Sequence, residues 1–391
     1  MEYSSQALDA LMEVTARPDL VFVRGEGSWI EDHRGKRYLD FVQGWAVNAL
    51  GHAPREVREA LVAQASQLVN PSPAFHNLPS LELAGRLARA STLDKVFFAS
   101  SGAEANEGAI KLARKWGRVR LGGAYKIITF ENAFHGRTIA TMSASGKPGW
   151  DTMFAPQVDG FPKARFNDLE SVRSLIDVQT AAIMVEPVQG EAGAVPATRE
   201  FMQGLRALAT EHGLLLIADE VQTGMGRCGP LFASQHFGVR PDVMTLGKGI
   251  GSGVPLAALL ASREAALFAH GEQGGTYCGN PLATAVGVAV FDAITAPGFL
   301  EAAAARSAQL REGLSDLSQL HGLRGERGLG LLRALVLDTN RAAAIVEAAR
   351  ALEPAGLLLN APRPDVLRFM PALNVTAGEV DRMLAMLDGL L

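Results

Sequence analysis

The sequence predicts an α/β fold, and three observations carry that prediction. First, short and mostly apolar runs rich in branched residues recur at 95–99, 125–130, 181–185, 214–218 and 243–246, separated by helical or polar stretches. Runs with little polar alternation read as strands buried on both faces, as in a parallel sheet covered by helices. Second, two of these runs end in charge: 214–218 leads into Asp219-Glu220, and 243–246 into Gly247-Lys248-Gly249. Open α/β sheets bind ligands at the carboxyl ends of their strands. A charge emerging from an apolar strand is costly unless it is paired or used. Third, hydrophobic residues make up 48% of the 391 and charged residues 20%, enough for a large core and two or three domains.

Composition also narrows the function. A formal charge of −4 leaves no basic footprint for nucleic acid. The two cysteines, Cys228 and Cys278, are too few for a disulfide framework and lack metal-ligand spacing; the eight histidines are scattered, so no metal site is expected. The first residues carry acidic groups and no signal-like apolar core, which predicts a cytoplasmic location. The longest apolar stretch, 281–296, is interrupted by Asp292 and falls short of a membrane span.

In chain order, 5–14 has the spacing of a short helix. Residues 21–23 and 29–32 alternate as two antiparallel strands with Gly25 and Gly27 in the turn, and 38–41 follows as a third. A loop at 42–52 contains Trp45, either a packing aromatic or a substrate contact. Helices are expected at 54–69, opened by Pro54, and at 80–90, capped by Ser80. After the 95–99 strand comes SSGAEANE (100–107), then a helix from about 105 to 116. A strand, a small polar loop and a helix start form an anion site through free amides and the helix dipole; read alone, the same residues are an ordinary serine cap. The 125–130 strand ends in ENAFHGRT (131–138), where Phe134 offers a flat face and Arg137 a carboxylate fork.

Residues 150–167 read as a loop-rich excursion. The 181–185 strand enters EPVQGEAG (186–193), whose Glu186 and Glu191 taken alone suggest a glycosidase-type acid pair. Residues 199–212 are helical. Beyond Lys248, a short helix is expected at 264–269, then GGTYCGNP (274–281), helices at 281–295 and 298–317, a strand at 333–337, a helix at 341–352, a strand at 357–360, VLRFMP (366–371) and a last helix at 377–391. This finer alternation describes an α+β domain.

DEVQTGMGR (219–227) and TLGKGIGSGVPLAA (245–258), with SGAEAN (101–106), EPVQGEAG, GGTYCGNP and LRFMP, resemble the class III (fold-type I) aminotransferases, and the resemblance runs over nearly the whole chain. It implies a fold of the type I class that uses pyridoxal phosphate (PLP): a large domain with a mainly parallel seven-stranded sheet and a smaller α+β domain. On this chain the N-terminal segment would be 1–45, the large domain 46–285 and the small domain 286–391. Lys248 would bind PLP covalently and move protons, while Asp219 pairs with the ring nitrogen. Ser101, Gly102 and Ala103 would hold the phosphate, Phe134 and Val221 sandwich the ring, and Gln222 bond its oxygen. Thr276, with Gly275 beside it, would reach the neighbour's site across a homodimer interface. Arg137 and Arg368 would bind substrate carboxylates, Glu191 would manage Arg368, and His135 would pack beside the cofactor. The EPVQGE block in this family sets aside the glycosidase reading.

Two departures stand out. Ser100 replaces a common Asn, and Cys278 a common Gly. Within the family, AVNALGH (46–52), EPVQGEAG and the length most resemble acetylornithine aminotransferases. Ornithine enzymes usually carry tyrosine at the place of Trp45, so the expected donor is acetylornithine and the acceptor 2-oxoglutarate, which leaves as glutamate. The alternatives are another ω-aminotransferase (ornithine, succinyl-diaminopimelate or 4-aminobutyrate), an isomerase of the same fold, and a non-catalytic PLP-binding protein. Having both Arg137 and Arg368 argues against the last.

Overall fold

The central sheet has seven strands in the order Lys95–Ala99, Ala257–Ala261, Val243–Leu246, Leu215–Glu220, Thr180–Val185, Lys126–Phe130 and Lys163–Ala164 in a computed structural model that describes residues 8–391. Only Ala257–Ala261 runs antiparallel to its neighbours; the other neighbouring pairs are parallel. The mainly parallel seven-stranded sheet of the class is present.

Alternation along the strands explains why both faces are covered. Leu215, Ile217 and Met184 turn to one side, against Ala109, Ile110 and Ala113 of the helix Gly102–Arg120. Leu216, Ile183 and Val185 turn to the other, against Phe201, Met202 and Leu205 of Arg199–Glu211. Each such side chain contributes about 1.5–3 kcal/mol when fully buried. A strand without a solvent face has no use for polar alternation, so its sequence is almost continuously apolar.

Besides a two-stranded ribbon of Val188–Gln189 and Val195–Pro196, there are two four-stranded sheets. The first joins chain ends: Phe22–Glu26, Trp29–Asp32 and Arg37–Asp40 are antiparallel, and Ala355–Leu358 adds in parallel beside Arg37–Asp40. The second is antiparallel, in the order Gly325–Leu329, Leu332–Val336, Val366–Phe369, Asn360–Arg363. Among the described residues no single helix is long and apolar enough to cross a membrane.

Several expected elements differ in detail. Residues 5–7 of the expected first helix lie outside the described residues, and 11–19 are not helical. Gly25 sits within its strand rather than in the turn, because His52 packs so closely that a Cβ there would lie 2.7 Å from the His52 Cβ. The 80–90 helix starts at Leu78, with Asn77 rather than Ser80 as cap: its side chain accepts from the Ser80 amide, and Pro79 suits the first turn. The helix expected from 105 starts at Gly102, where Ser101 and Glu104 form a capping box. Residues 264–269 form a turn and an extended run instead of a helix, since Ala265, Ala266, Leu267 and Phe268 all pack on one cluster, which helical spacing would not allow. The strand Gly325–Leu329 was not foreseen; GERGL carries two glycines and no alternation.

Close helix-to-sheet approach depends on Gly117. A Cβ there would lie 1.9 Å from the Ala124 carbonyl oxygen and 2.9 Å from the Ala181 Cβ. Gly117→Ala is expected to destabilise the protein by about 1–3 kcal/mol through overpacking. Gly378→Ala, where nothing stands within 4 Å, is expected to be neutral or slightly stabilising. Chemical denaturation midpoints of the two variants check the contrast.

Candidate active site

The carboxyl ends of the parallel strands converge on one cavity of about 270 Å³, lined by Gly102, Ala103, Asn106, Phe134, His135, Gly136, Arg137, Glu186, Glu191, Asp219, Val221, Gln222 and Lys248. Asp219 ends one strand and lies opposite Thr245 on the next; Lys248 follows that second strand by two residues. Parallel register alone thus brings the two sequence-predicted charges together. Lys248 adopts φ 46°, a left-handed conformation costly for a residue with a Cβ. Burial lowers the pKa of its amine, although the Asp219 and Glu191 carboxylates oppose the change. A desolvated amine in a cavity is a candidate nucleophile.

Asp219 is held by three donors, with the Thr245 hydroxyl close by. His135 Nδ1 lies 2.7 Å and Asn106 Nδ2 2.8 Å from Oδ2, and the Val221 amide lies 3.0 Å and Thr245 Oγ1 3.4 Å from Oδ1. The one hydroxyl proton of Thr245 goes to Asn106 Oδ1 at 2.7 Å, and Asn106 donates to the His135 carbonyl at 2.7 Å, which closes the network. Sequence reasoning passed over Asn106 and Thr245 and gave His135 only a packing role. The fold explains two of these positions. Asn106 is a polar residue on the buried face of its helix, and Thr245 is the cross-strand neighbour of Asp219.

The helix start after Lys95–Ala99 works as both cap and anion cradle. The Ser101 hydroxyl accepts from the Glu104 amide at 3.3 Å, and Glu104 Oε2 accepts from the Ser100 and Ser101 amides at 2.7 and 2.9 Å. Gly102 and Ala103, the next two residues, have amides without an acceptor inside the helix and line the cavity. A Cβ at Gly102 would lie 2.6 Å from Val221 Cγ1, so the close approach there requires glycine. Phe134 and Val221 both line the cavity, and the Phe134 ring meets Trp150 edge-on with centroids 5.6 Å apart. The exposed Arg137 guanidinium lies 5.8 Å from the Trp150 ring centre, in a cation–π contact at the cavity mouth.

The segment carrying Phe134, His135 and Arg137 is braced from behind. Ser145 Oγ accepts from the His135 amide at 2.9 Å, just past the helix Ile139–Ala144. Lys163 donates to the Ser143 and Ala144 carbonyls at 2.6 and 2.8 Å and to Thr129 Oγ1 at 2.8 Å. Burial brings the Lys163 pKa down to about 7, while three acceptors favour its charged form.

Glu191 and Arg368 form an ion pair at 2.8 Å; the Arg368 side chain is 1% exposed and that of Glu191 31%. Arg368 Nε donates to Asn360 Oδ1 at 2.9 Å, and its Nη1 has no partner among the described residues. Burial alone would raise the Glu191 pKa, but the guanidinium beside it holds the carboxyl below the usual range. Glu186 is buried too, and its pKa is pushed well above the ordinary value, first by burial and then by Asp219. Gln222 Nε2 reaches the Trp45 carbonyl at 3.5 Å.

The structure does not bring every predicted residue to the cavity. The Trp45 side chain is half exposed; residues 43–46 all take positive φ, a left-handed turn that directs the chain past the site. Gly275 and Thr276 are exposed and line no part of it, and the Thr276 carbonyl accepts from Asn70 Nδ2 at 3.4 Å.

Known proteins resemble this chain along nearly its whole length. The aminotransferase class-III family model matches residues 12–391. Acetylornithine aminotransferase 2 of Bordetella bronchiseptica is 73% identical over 391 residues, covering 100% of this chain and 99% of that one. The crystal structure of N-acetylornithine aminotransferase from Stenotrophomonas maltophilia superposes with a TM-score of 0.83 at 36% identity, covering 96% of each chain. The ornithine aminotransferase structure from Toxoplasma gondii gives 0.92 at 30% identity, covering 99% of this chain and 93% of that one. With the family model matched along almost its whole length and full-length relatives well beyond a third identity, the chain belongs to the class III aminotransferases.

Proposed function

We propose that this chain transfers the terminal amino group of N2-acetylornithine to 2-oxoglutarate, yielding N-acetylglutamate 5-semialdehyde and glutamate, with PLP held in the cavity. The observation that carries the reading is the meeting of Lys248, the caged Asp219 and the Glu191–Arg368 pair around one space. The choice of donor leans on the 73% identity to an acetylornithine aminotransferase. The likeness to an ornithine aminotransferase keeps ornithine as the second reading.

The residues present fit PLP. The Lys248 amine makes no hydrogen bond to the described residues, free amides stand at the helix start, and Gly102 leaves room where any side chain would collide with Val221. When bound, PLP supplies an aldehyde carbon that takes and returns amino groups and a ring that accepts electrons. Lys248 anchors at that carbon and, once displaced, moves a proton at the substrate carbon bearing the amine. Asp219, fixed by its three donors, would hold the proton of the ring nitrogen. The Gly102 and Ala103 amides, with Ser101, hold the phosphate; Phe134 and Val221 flank the ring, and Gln222 bonds its oxygen. Arg137 at the mouth takes the distant carboxylate of acetylornithine, and Trp45 stands near its entry. Arg368 takes the carboxylate that glutamate and 2-oxoglutarate bring close to the ring, after Glu191 swings away. The two cysteines, both free, accord with a reducing, cytoplasmic compartment. Gly275 and Thr276, exposed outside their own cavity, support a homodimer in which they complete the partner's site.

Three outcomes test this. Purified protein with PLP should convert acetylornithine and 2-oxoglutarate to glutamate, faster than with ornithine, succinyl-diaminopimelate or 4-aminobutyrate, and Lys248→Ala should abolish turnover and the visible band that borohydride removes. A better rate with ornithine would replace the donor; normal turnover by Lys248→Ala would overturn the mechanism. Glu191→Ala should raise the rate of the glutamate half-reaction relative to that with acetylornithine, tenfold for each ~1.4 kcal/mol of altered preference. Single-turnover spectroscopy measures the two separately, and an equal change in both would leave Glu191 without a gating role. Finally, mixing Lys248→Ala chains with a Gly275 and Thr276 loop variant should restore activity in heterodimers; a fully active monomer by sedimentation would exclude shared sites.

A further inference from the structure

Two carboxyls sit side by side on neighbouring strands. Thr180–Val185 and Leu215–Glu220 run parallel with Val185 opposite Ala218, so the next residues, Glu186 and Asp219, emerge together at the sheet edge. They are 7% and 4% exposed, and both line the cavity. Two adjacent buried carboxyls do not both ionise, because each charge disfavours the other.

The surroundings decide which one keeps the proton. Hydrogen-bond donors stabilise the anion, and among the described residues Asp219 has three, from His135, Asn106 and Val221. Glu186 has one: the Phe134 amide, 2.9 Å from Oε1. The charged groups facing Glu186 are Asp219, Lys248 and Glu191. Lys248 favours an anion at Glu186, but it faces Asp219 and Glu191 as well.

We infer that Glu186 and Asp219 form a pair with a single negative charge, carried by Asp219, and that Glu186 is a neutral acid presenting a hydroxyl donor to the cavity. The inference deepens the proposed function. Without a second negative charge on the pair, one fewer anion favours the ammonium form of Lys248. Glu186 is a positioning residue for the ionisation of Lys248. Burial pushes the Glu186 pKa in the same direction.

The test uses cofactor-free protein without substrate, so it does not depend on which amine the enzyme accepts. The pH dependence of Lys248 acetylation by acetic anhydride, followed by peptide mass spectrometry, reports the ionisation of the amine. Replacing a neutral acid by a neutral amide should leave the midpoint unmoved in Glu186→Gln, whose side-chain oxygen still accepts from Phe134. If Glu186 were an anion, the midpoint would fall by about 1–3 units, the usual effect of an opposite charge at close range. That fall would overturn the inference. The double variant Glu186→Gln with Asp219→Asn removes the pair's one charge and should produce such a fall; an unmoved midpoint there would also overturn it. Infrared spectra of the wild-type protein with isotope-labelled glutamate need no variant. A protonated carboxylic-acid band at neutral pH is expected, and its absence would refute the neutral state even if the variants failed to fold.

Discussion

The site depends on the hydrogen-bond cage around Asp219. A carboxylate in a low-dielectric interior is costly unless its lone pairs are met, and here donors come from three separate parts of the chain: a helix, a loop after one strand and the turn after Asp219 itself; Thr245 on the neighbouring strand orients the Asn106 amide. The cage ties together the pieces that define the cavity. Asn106 belongs to the helix whose first amides face it, and His135 is flanked by Phe134 and Gly136, which also line it. Loss of one donor would loosen the carboxylate and the element that supplies the donor.

Charge balance is the second constraint. The cavity gathers Lys248, Asp219, Glu186 and Glu191, with Arg368 behind. Glu191 has a cation partner that holds its charge, Asp219 has donors, and Glu186 has neither in strength. The same physics thus gives three carboxyls three different states. Arg368 illustrates the cost of the alternative, since a buried guanidinium stripped of its partner is strongly destabilising, by about 3–5 kcal/mol. A gate made of Glu191 therefore has to exchange its own carboxylate for one brought by a substrate.

Rigidity comes from outside the cavity. Lys163, through three acceptors, fastens the end of the helix Ile139–Ala144, and Ser145 beyond it holds the His135 amide. Gly117 allows the helix Gly102–Arg120 to lie close against the sheet, which sets the height of the Gly102 and Ala103 amides over the strand ends. Both are ordinary packing features, yet they fix the position of groups that act on a ligand.

The sequence by itself determined the class of sheet, because doubly buried strands must be apolar throughout, and it determined the pair Lys248 and Asp219, because a charge at the end of such a strand has few uses. It also carried the family motifs, local runs of residues that survive intact in one dimension. Only the tertiary structure decided what surrounds those charges. Asn106 and His135 reach Asp219 from positions 113 and 84 residues away, and no local pattern marks a donor whose acceptor is so distant. The proximity of Glu191 to Arg368, 177 residues apart by number, was expected from motif resemblance, but its burial and geometry came from the fold. The non-helical run at 264–269 was likewise settled by packing, since propensity is weak against the burial of several apolar side chains at once; the caps at Asn77 and Ser101 rest on local hydrogen bonds instead. The exposed positions of Trp45, Gly275 and Thr276 follow from the path of the backbone, which a sequence motif does not contain.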